Sequence, residues 1–413
     1  MRGSLTNRYA MRSLRRNLRR TLLSIIGVAI GIAVALFMAA LMRGSDELRV
    51  RSIVASGFGH MRIAHAEWEQ SRDPDLRLEN WRAERDTALA LPEVEVAAPR
   101  ARKTALLAFG TRVVGAELLG VDPVAELRFN RIAQAVDEGR YLEAGEEGAV
   151  VVGATITEHL DVELHDDLYL TVVGRDGQMQ YAMLRIVGIV RTGSREMDAG
   201  VSHVDLGEFM RITGYEGAGE ITVVLEDPDE IPEVAEALAA RLPEGDVVLP
   251  WQVVLPTQGA DAQNDAGFMG MIIVIVMLVV TLGIASARMT AILERKREFA
   301  VLLALGMKGR QVVGLVFLES VATGALGAAL GLLLVTPLVH YTTTEGIDFG
   351  ALMGGDFHIE GVLIDPVIYS DMGLWMIPQA LGIGLLATFL ASLYPAWLAV
   401  RTDPRSALSL REG

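Results

Sequence analysis

The sequence predicts an α-helical membrane protein with four transmembrane helices and a large α+β extracytoplasmic domain between helices 1 and 2. Three observations predict this class. Apolar residues make up 51% of the 413-residue chain and come in blocks. Four of those blocks are long enough to cross a hydrocarbon core of roughly 30 Å. Charge is uneven: Arg and Lys gather at the two ends and in one short loop, and acids fill the long stretch between the first two blocks.

Residues 1–20 hold seven Arg and no acid. Leu5, Tyr9, Leu14 and Leu18 recur near helical spacing, with Arg12, Arg15, Arg16 and Arg19 between them. This is the pattern of a cytoplasmic interfacial amphipathic helix whose Arg side chains meet phospholipid headgroups. Residues 21–42 run without a charge and form the first span. The alternative is a cleavable signal peptide, but the apolar run is too long and no convincing A-x-A site precedes Arg43. Gly27 and Gly31 make a small-xxx-small pair, a face where another helix packs closely.

Residues 43–266 contain 21 basic and 41 acidic residues, a net of −20. So acidic a segment, flanked by spans and opposite the Arg-rich end, belongs outside the cytoplasm. Its strand-like pieces are 61–64, 111–116, 149–152, 168–173, 181–190, 221–225 and 247–249. Its helix-like pieces are 76–91, 124–136, 154–160, 206–213 and 231–242, the last opened by Asp229, Glu230 and Pro232. Turn clusters at 143–148, 175–177 and 214–219 separate them. The pattern is that of an α+β extracytoplasmic domain, with a subdivision expected around Gly110 and Val201.

Residues 268–287 form the second span and 312–340 the third, joined by a basic cytoplasmic loop, 288–311. Glu319 lies inside the third span, where an ionisable group is costly and is either functional or snorkels to the interface. Gly324, Gly327 and Gly331 follow as a second close-packing face. Residues 341–373 carry six acids and no Lys or Arg, so they form an outside loop, periplasmic in a bacterial inner-membrane protein. Residues 374–400 form the fourth span, and Arg401, Arg405 and Arg411 place the 401–413 tail inside. Four spans with both termini cytoplasmic satisfy the positive-inside rule at every loop.

The 288–311 loop reads RMTAILERKREFAVLLALGMKGRQ and is too apolar at its centre for a solvated turn. Phe299, Leu302 and Leu303 fall at i, i+3 and i+4, Leu305 follows, and Gly306 is a natural stop. A short helix with one sticky face needs a cover. Either it lies flat on the membrane or it docks a cytoplasmic protein, and the second reading is preferred.

Several chemistries are excluded or weak. A net charge of −15 argues against nucleic acid. There is no Cys, so no thiolate metal site or catalytic thiol, and the seven His lack metal-ligand spacing. There is no G-x-x-x-x-G-K-[ST], no G-x-S-x-G and no H-E-x-x-H. With neither an ATP site nor a chain of membrane carboxylates, energy has to come from a partner.

The same residues resemble the permease subunits of the ABC superfamily branch that includes the lipoprotein-releasing (LolC/LolE-like) permeases, the macrolide-exporter permease and FtsX. YAMRSLRRNLRRTLLSIIGVAIGIAVAL is similar to that family's interfacial helix and first span, and ERKREFAVLLALGMKGRQVVGLVFLES to its coupling-helix loop and third-span glutamate, here Glu319. YPAWLAVRTDPRSAL resembles its C-terminal signature. VVGAELLGVDP, EGRYL, GAVVVGATI and ELHDDLYL resemble its periplasmic core, and residues 56–63 lean toward the lipoprotein-releasing type. The resemblance implies a non-catalytic permease in the bacterial inner membrane that binds no cofactor. Two partner ATPase subunits would bind ATP and Mg, and a second permease subunit, identical or related, would complete the complex. Glu298, Phe299, Leu302, Leu305 and Gly306 would contact the ATPase. The expected work is release of a lipoprotein or related amphiphile. The alternatives are peptide or drug efflux with a periplasmic adaptor, and FtsX-like signalling to a cell-wall hydrolase, which the size of the outer domain disfavours.

Overall fold

The computed structural model describes residues 18–68, 75–294, 301, 307–348, 358–359, 362–363 and 367–400. The chain divides into a membrane unit, built from the four long helices, and an outer unit, Asp46–Ala262 with Asp348–Pro366.

In chain order, helix α1 (Leu18–Ala55) is followed by β1 (Met61–His65), α2 (Trp81–Leu89), β2 (Val94–Phe109) and β3 (Arg112–Val121). Then come α3 (Pro123–Phe129), α4 (Arg131–Gln134), β4 (Val136–Gly139), β5 (Ala149–Gly153) and α5 (Ala154–Leu160). Strands β6 (Asp167–Val173) and β7 (Met179–Val190), helix α6 (Arg195–Gly200), β8 (Ser202–Asp205), α7 (Leu206–Thr213) and β9 (Glu220–Leu225) follow. The outer unit closes with α8 (Ile231–Ala239), β10 (Asp246–Pro250) and α9 (Trp251–Val254). The remaining long helices are α10 (Pro256–Glu294), α11 (Gly309–Thr344) and α12 (Met376–Val400).

Among the described residues, four helices are long and apolar enough to cross a membrane: Leu22–Ala55, Pro256–Ser286, Gly309–Thr344 and Met376–Ala396. The helices overrun the apolar stretches. Helix α1 continues past Met42 to Ala55, α10 begins ahead of Phe268 at Pro256, and α11 reaches Thr344 rather than stopping at His340. The added turns carry polar side chains. They are helical without needing hydrocarbon, so the outer domain expected over 43–266 begins and ends in helix. Val28, Ile32, Leu36, Ala328, Val335, Ala380 and Ala387 form the core of the membrane unit.

The main sheet of the outer unit has ten strands in the order β10-β1-β9-β2-β3-β8-β5-β7-β4, with β6 bridging β2 and β7, and His358–Ile359 pairs with Val362–Leu363 as a separate two-stranded sheet. All seven expected strands are present. Three were not anticipated: β2, β4 and β8. Strand β2 is the spine, pairing β9 through Val94–Arg100, β3 through Arg100–Phe109 and β6 through Ala105–Ala108. It is rich in Ala and charge and contains Pro99, so its composition is poor for a strand. Three partner strands along its two edges override that preference. The helix expected over 124–136 is two helices that meet at Asn130, whose extended backbone breaks the first while its Oδ1 accepts the Ile132 N–H at 2.9 Å. Helix α7 matches its expected limits: Asp205 caps it through the Gly207 N–H at 2.8 Å, and Gly214 ends it in the left-handed region. No division falls at Gly110 or Val201. The sheet runs through both regions, although a second apolar cluster around Val121, Tyr141, Val151 and Val190 packs separately from the main core.

Candidate functional site

Two places combine packing with chemistry: the seam among the membrane helices, and the joint where α1 ends inside the outer unit. The expected docking helix belongs to neither, because Glu298, Phe299, Leu302, Leu305 and Gly306 lie outside the described residues. Beyond them α11 starts cleanly, with the Gln311 side-chain oxygen accepting the Lys308 N–H at 2.8 Å.

Small residues set the seam. A Cβ at Gly324 would lie 2.6 Å from Thr388 Oγ1 and 2.8 Å from the Gly384 carbonyl oxygen, so α11 and α12 meet backbone to backbone. At Gly327 a Cβ would press on Val28, at Gly331 on the Ala29 carbonyl and Ile32, and at Gly31 on Val280. Gly27 stands apart from this set, with open space where its Cβ would be. Hydroxyls reinforce the seam. Ser320 and Ser392 are 2.5 Å apart across α11 and α12, and each hydroxyl also lies within hydrogen-bond reach of a carbonyl one turn earlier in its own helix, so one donates across the seam and the other to its own carbonyl. Glu319 is buried beside this pair, and its carbonyl accepts the Thr323 hydroxyl at 2.8 Å. An ionisable side chain among packed helices is costly to hold.

The joint is built around Arg100. Helix α1 ends with Ile53 fully buried in the outer core, and the chain then turns through Gly57 and Gly59, both with positive φ that side chains disfavour. The Gly57 carbonyl accepts from Arg100 Nη1. Arg100, 4% exposed, also grips the fully buried Glu126 through Nε at 2.6 Å and Nη2 at 2.7 Å. Asn130 Nδ2 donates to the same carboxylate at 2.7 Å. The Arg100 guanidinium carbon sits 5.5 Å from the centre of the Phe129 ring. One Arg thus ties the end of the first span's helix to β2 and α3.

A second buried carboxylate, Glu220, pairs with Arg62 at 3.0 Å and Arg102 at 2.5 Å. Burial alone would push its pKa up, but Arg102, Arg62 and Arg100 outweigh that and hold it at about 2. Burial keeps His60 and His203 neutral, each lowered to about 4. His60 Nδ1 accepts the Leu225 N–H at 2.9 Å, and His203 Nδ1 meets the Tyr141 hydroxyl at 2.8 Å. A cavity of about 320 Å³ adjoins the joint, lined by Gly57, Phe58, Arg100, Leu119, Met197 and His203 among others. Among the described residues no cluster of three or more His, Asp or Glu could hold a metal. Outside the 56–63 stretch, none of the joint residues stood out in sequence. The one local signal was Gly57-Phe58-Gly59, directly after the long helix.

The chain matches two family models: the MacB-like periplasmic core domain over residues 21–241 and the FtsX-like permease C-terminal region over residues 270–404. It is 26% identical over 346 residues to the lipoprotein-releasing system transmembrane protein LolC of Xylella fastidiosa, covering 80% of this chain and 81% of that one. It is 24% identical over 331 residues to LolE of Haemophilus influenzae, covering 77% and 78%. It is 26% identical over 269 residues to the macrolide export ATP-binding/permease protein MacB of Hyphomonas neptunium, covering 63% of this chain and 38% of that one. With a periplasmic core domain between its first two spans and an FtsX-like region over the last three, the chain belongs to the FtsX/MacB family of ABC transporter permeases.

Proposed function

We propose that this chain is the non-catalytic permease subunit of a lipoprotein-releasing-type complex. A separate ATPase pair would bind ATP and Mg, dock on residues 298–306 and drive rearrangement of the outer domain, lifting a lipid-anchored protein or related amphiphile from the outer leaflet. Both termini then lie in the cytoplasm, and a second permease chain completes the assembly. The observation that supports this best is the construction of α1. It is one unbroken helix of 38 residues, about 57 Å at 1.5 Å per residue, and its exit is held by Arg100. The LolC and LolE relatives support lipoprotein release over the other family roles. The MacB-like core keeps adaptor-linked efflux as the second reading.

The test is purification in mild detergent from its own cells, followed by mass spectrometry. A co-purifying ATPase and lipoprotein are expected. A periplasmic adaptor in place of the lipoprotein means efflux, and a cell-wall hydrolase means signalling. Absence of any ATPase overturns the permease reading.

A further inference from the structure

The segment that leads into α12 is fastened to the outer ends of two other spans. The Asp371 N–H donates to the Ala40 carbonyl of α1 at 2.9 Å. Asp371 Oδ2 accepts from Arg43 Nε at 3.0 Å and from Trp375 Nε1 at 2.9 Å. The Arg43 guanidinium carbon lies 4.8 Å from the centre of the Trp375 ring. At Gly44 a Cβ would overlap the Tyr369 carbonyl, so helix and segment touch main chain to main chain. One residue before Asp371, the Ser370 hydroxyl is 2.8 Å from that of Thr342, and the Ser370 carbonyl accepts from the Thr343 hydroxyl at 2.8 Å. Thr342 and Thr343 are in the last turn of α11.

The Arg43 and Asp371 side chains are 57% and 30% exposed, and an ion pair that open adds little stability. Its value is directional. Two side-chain donors, Arg43 of α1 and Trp375 just ahead of α12, converge on one carboxylate oxygen, while the adjacent main chain is fixed to α1 and, through Ser370, to α11. Arg and Trp together are also the residues that settle at a membrane–water boundary.

We propose that Asp371 is a positioning residue that clasps the outer ends of α1, α11 and α12 into one body, so that the three move together in the transport cycle. The coupled-turnover readout of this proposal rests on the permease reading. The clasp itself does not.

The chain has no Cys, so Arg43→Cys/Asp371→Cys gives a unique pair that a short bis-methanethiosulfonate linker can bridge and a reductant can release. The full chain is used in native membranes with its ATPase, and membrane insertion and protease resistance of the outer domain are checked first. Linking should go to high yield with or without ATP, because the two ends stay together. The unlinked pair should lose substrate-coupled turnover by about tenfold, the scale of a typical coupling energy, while the ATPase remains bound. Linking should restore the wild-type rate and reduction should remove it again. Asp371→Glu should keep more turnover than Asp371→Ala. Poor linking in resting membranes, linking that ATP prevents, arrest by the linker, or an unlinked pair at the wild-type rate would each overturn the proposal. If no ATPase associates with the wild-type chain, the permease reading fails, and linking yield still decides the clasp.

Discussion

Replacing Arg100 by Met should cost the outer domain about 3–5 kcal/mol, the range for removing one partner of a buried ion pair. Three bonds go: two to Glu126 and one to the Gly57 carbonyl. Glu126 stays fully buried, with the Asn130 side chain still donating to it. Against a domain stability of roughly 5–15 kcal/mol, this is a large share. Arg100→Met/Glu126→Leu should cost less than the two single changes added together, since the uncompensated charge is gone and an apolar pair of similar volume fills the space. The Gly57 carbonyl and the Asn130 amide then lack those partners, at about 1–3 kcal/mol each if left unpaired. The assay is proteolysis of the full chain in detergent across a urea series, following loss of the outer-domain fragment. A double-mutant cycle should show an interaction energy within the roughly 0.5–3 kcal/mol seen for coupled residues. If the two single costs simply add, Arg100 does not act through Glu126, and the joint as described is wrong.

Two further outcomes follow from the outer domain and its placement. His60 and His203 are lowered from 6.5 to about 4, so between those values the unfolded chain binds their protons and the folded chain does not; Glu84, raised from 4.5 to about 7 by burial and then by Asp246, does the reverse. Between pH 4.5 and 6.5 the unfolded chain therefore binds at most a net of two minus one protons more, and stability rises with pH by at most about 1.4 kcal/mol per unit from these three groups. Glu84→Gln removes the opposing proton and should steepen that slope in a urea series at several pH values; an unchanged slope refutes the assignment. For topology, single cysteines at the exposed Thr111 and Thr344 should react with an impermeant thiol reagent added to spheroplasts, and one at Arg310 should not; labelling at Arg310 from outside would invert the arrangement.

The spans were legible because hydrocarbon demands a long run of apolar residues that no other environment requires. Their helical ends were not, since the turns past Met42 and before Phe268 are ordinary polar helix. Strand β2 was hidden because Ala, Arg and Pro99 do not look like a strand; its pairing with β3, β6 and β9 is a property of the assembled sheet. Gly324, Gly327 and Gly331 were visible as a spacing, but which helix each one meets was not. Arg100 and Glu126 are 26 residues apart, and Arg43 and Asp371 are 328 apart. Each is an ordinary charged residue until the fold brings it to its partner. Asn130 was read as mid-helix because a break that also caps the next helix leaves little trace in apolar periodicity.

Coupling to an ATPase is the claim on which the rest depends, and Leu302 tests it most directly. If Phe299, Leu302 and Leu305 enter a groove on the ATPase, each buried side chain contributes roughly 1.5–3 kcal/mol, about one to two tenfold steps in affinity. Leu302→Asp removes that burial and puts a carboxylate in an apolar groove. The measurement is the ratio of ATPase to permease after co-purification, wild type against Leu302→Asp, with substrate-stimulated ATP turnover and protease resistance of the outer domain alongside. The expected result is loss of the ATPase and of stimulated turnover with the outer domain intact. Retention of the ATPase at wild-type stoichiometry with normal stimulated turnover would contradict it, and would leave 298–306 as a helix lying on the membrane surface.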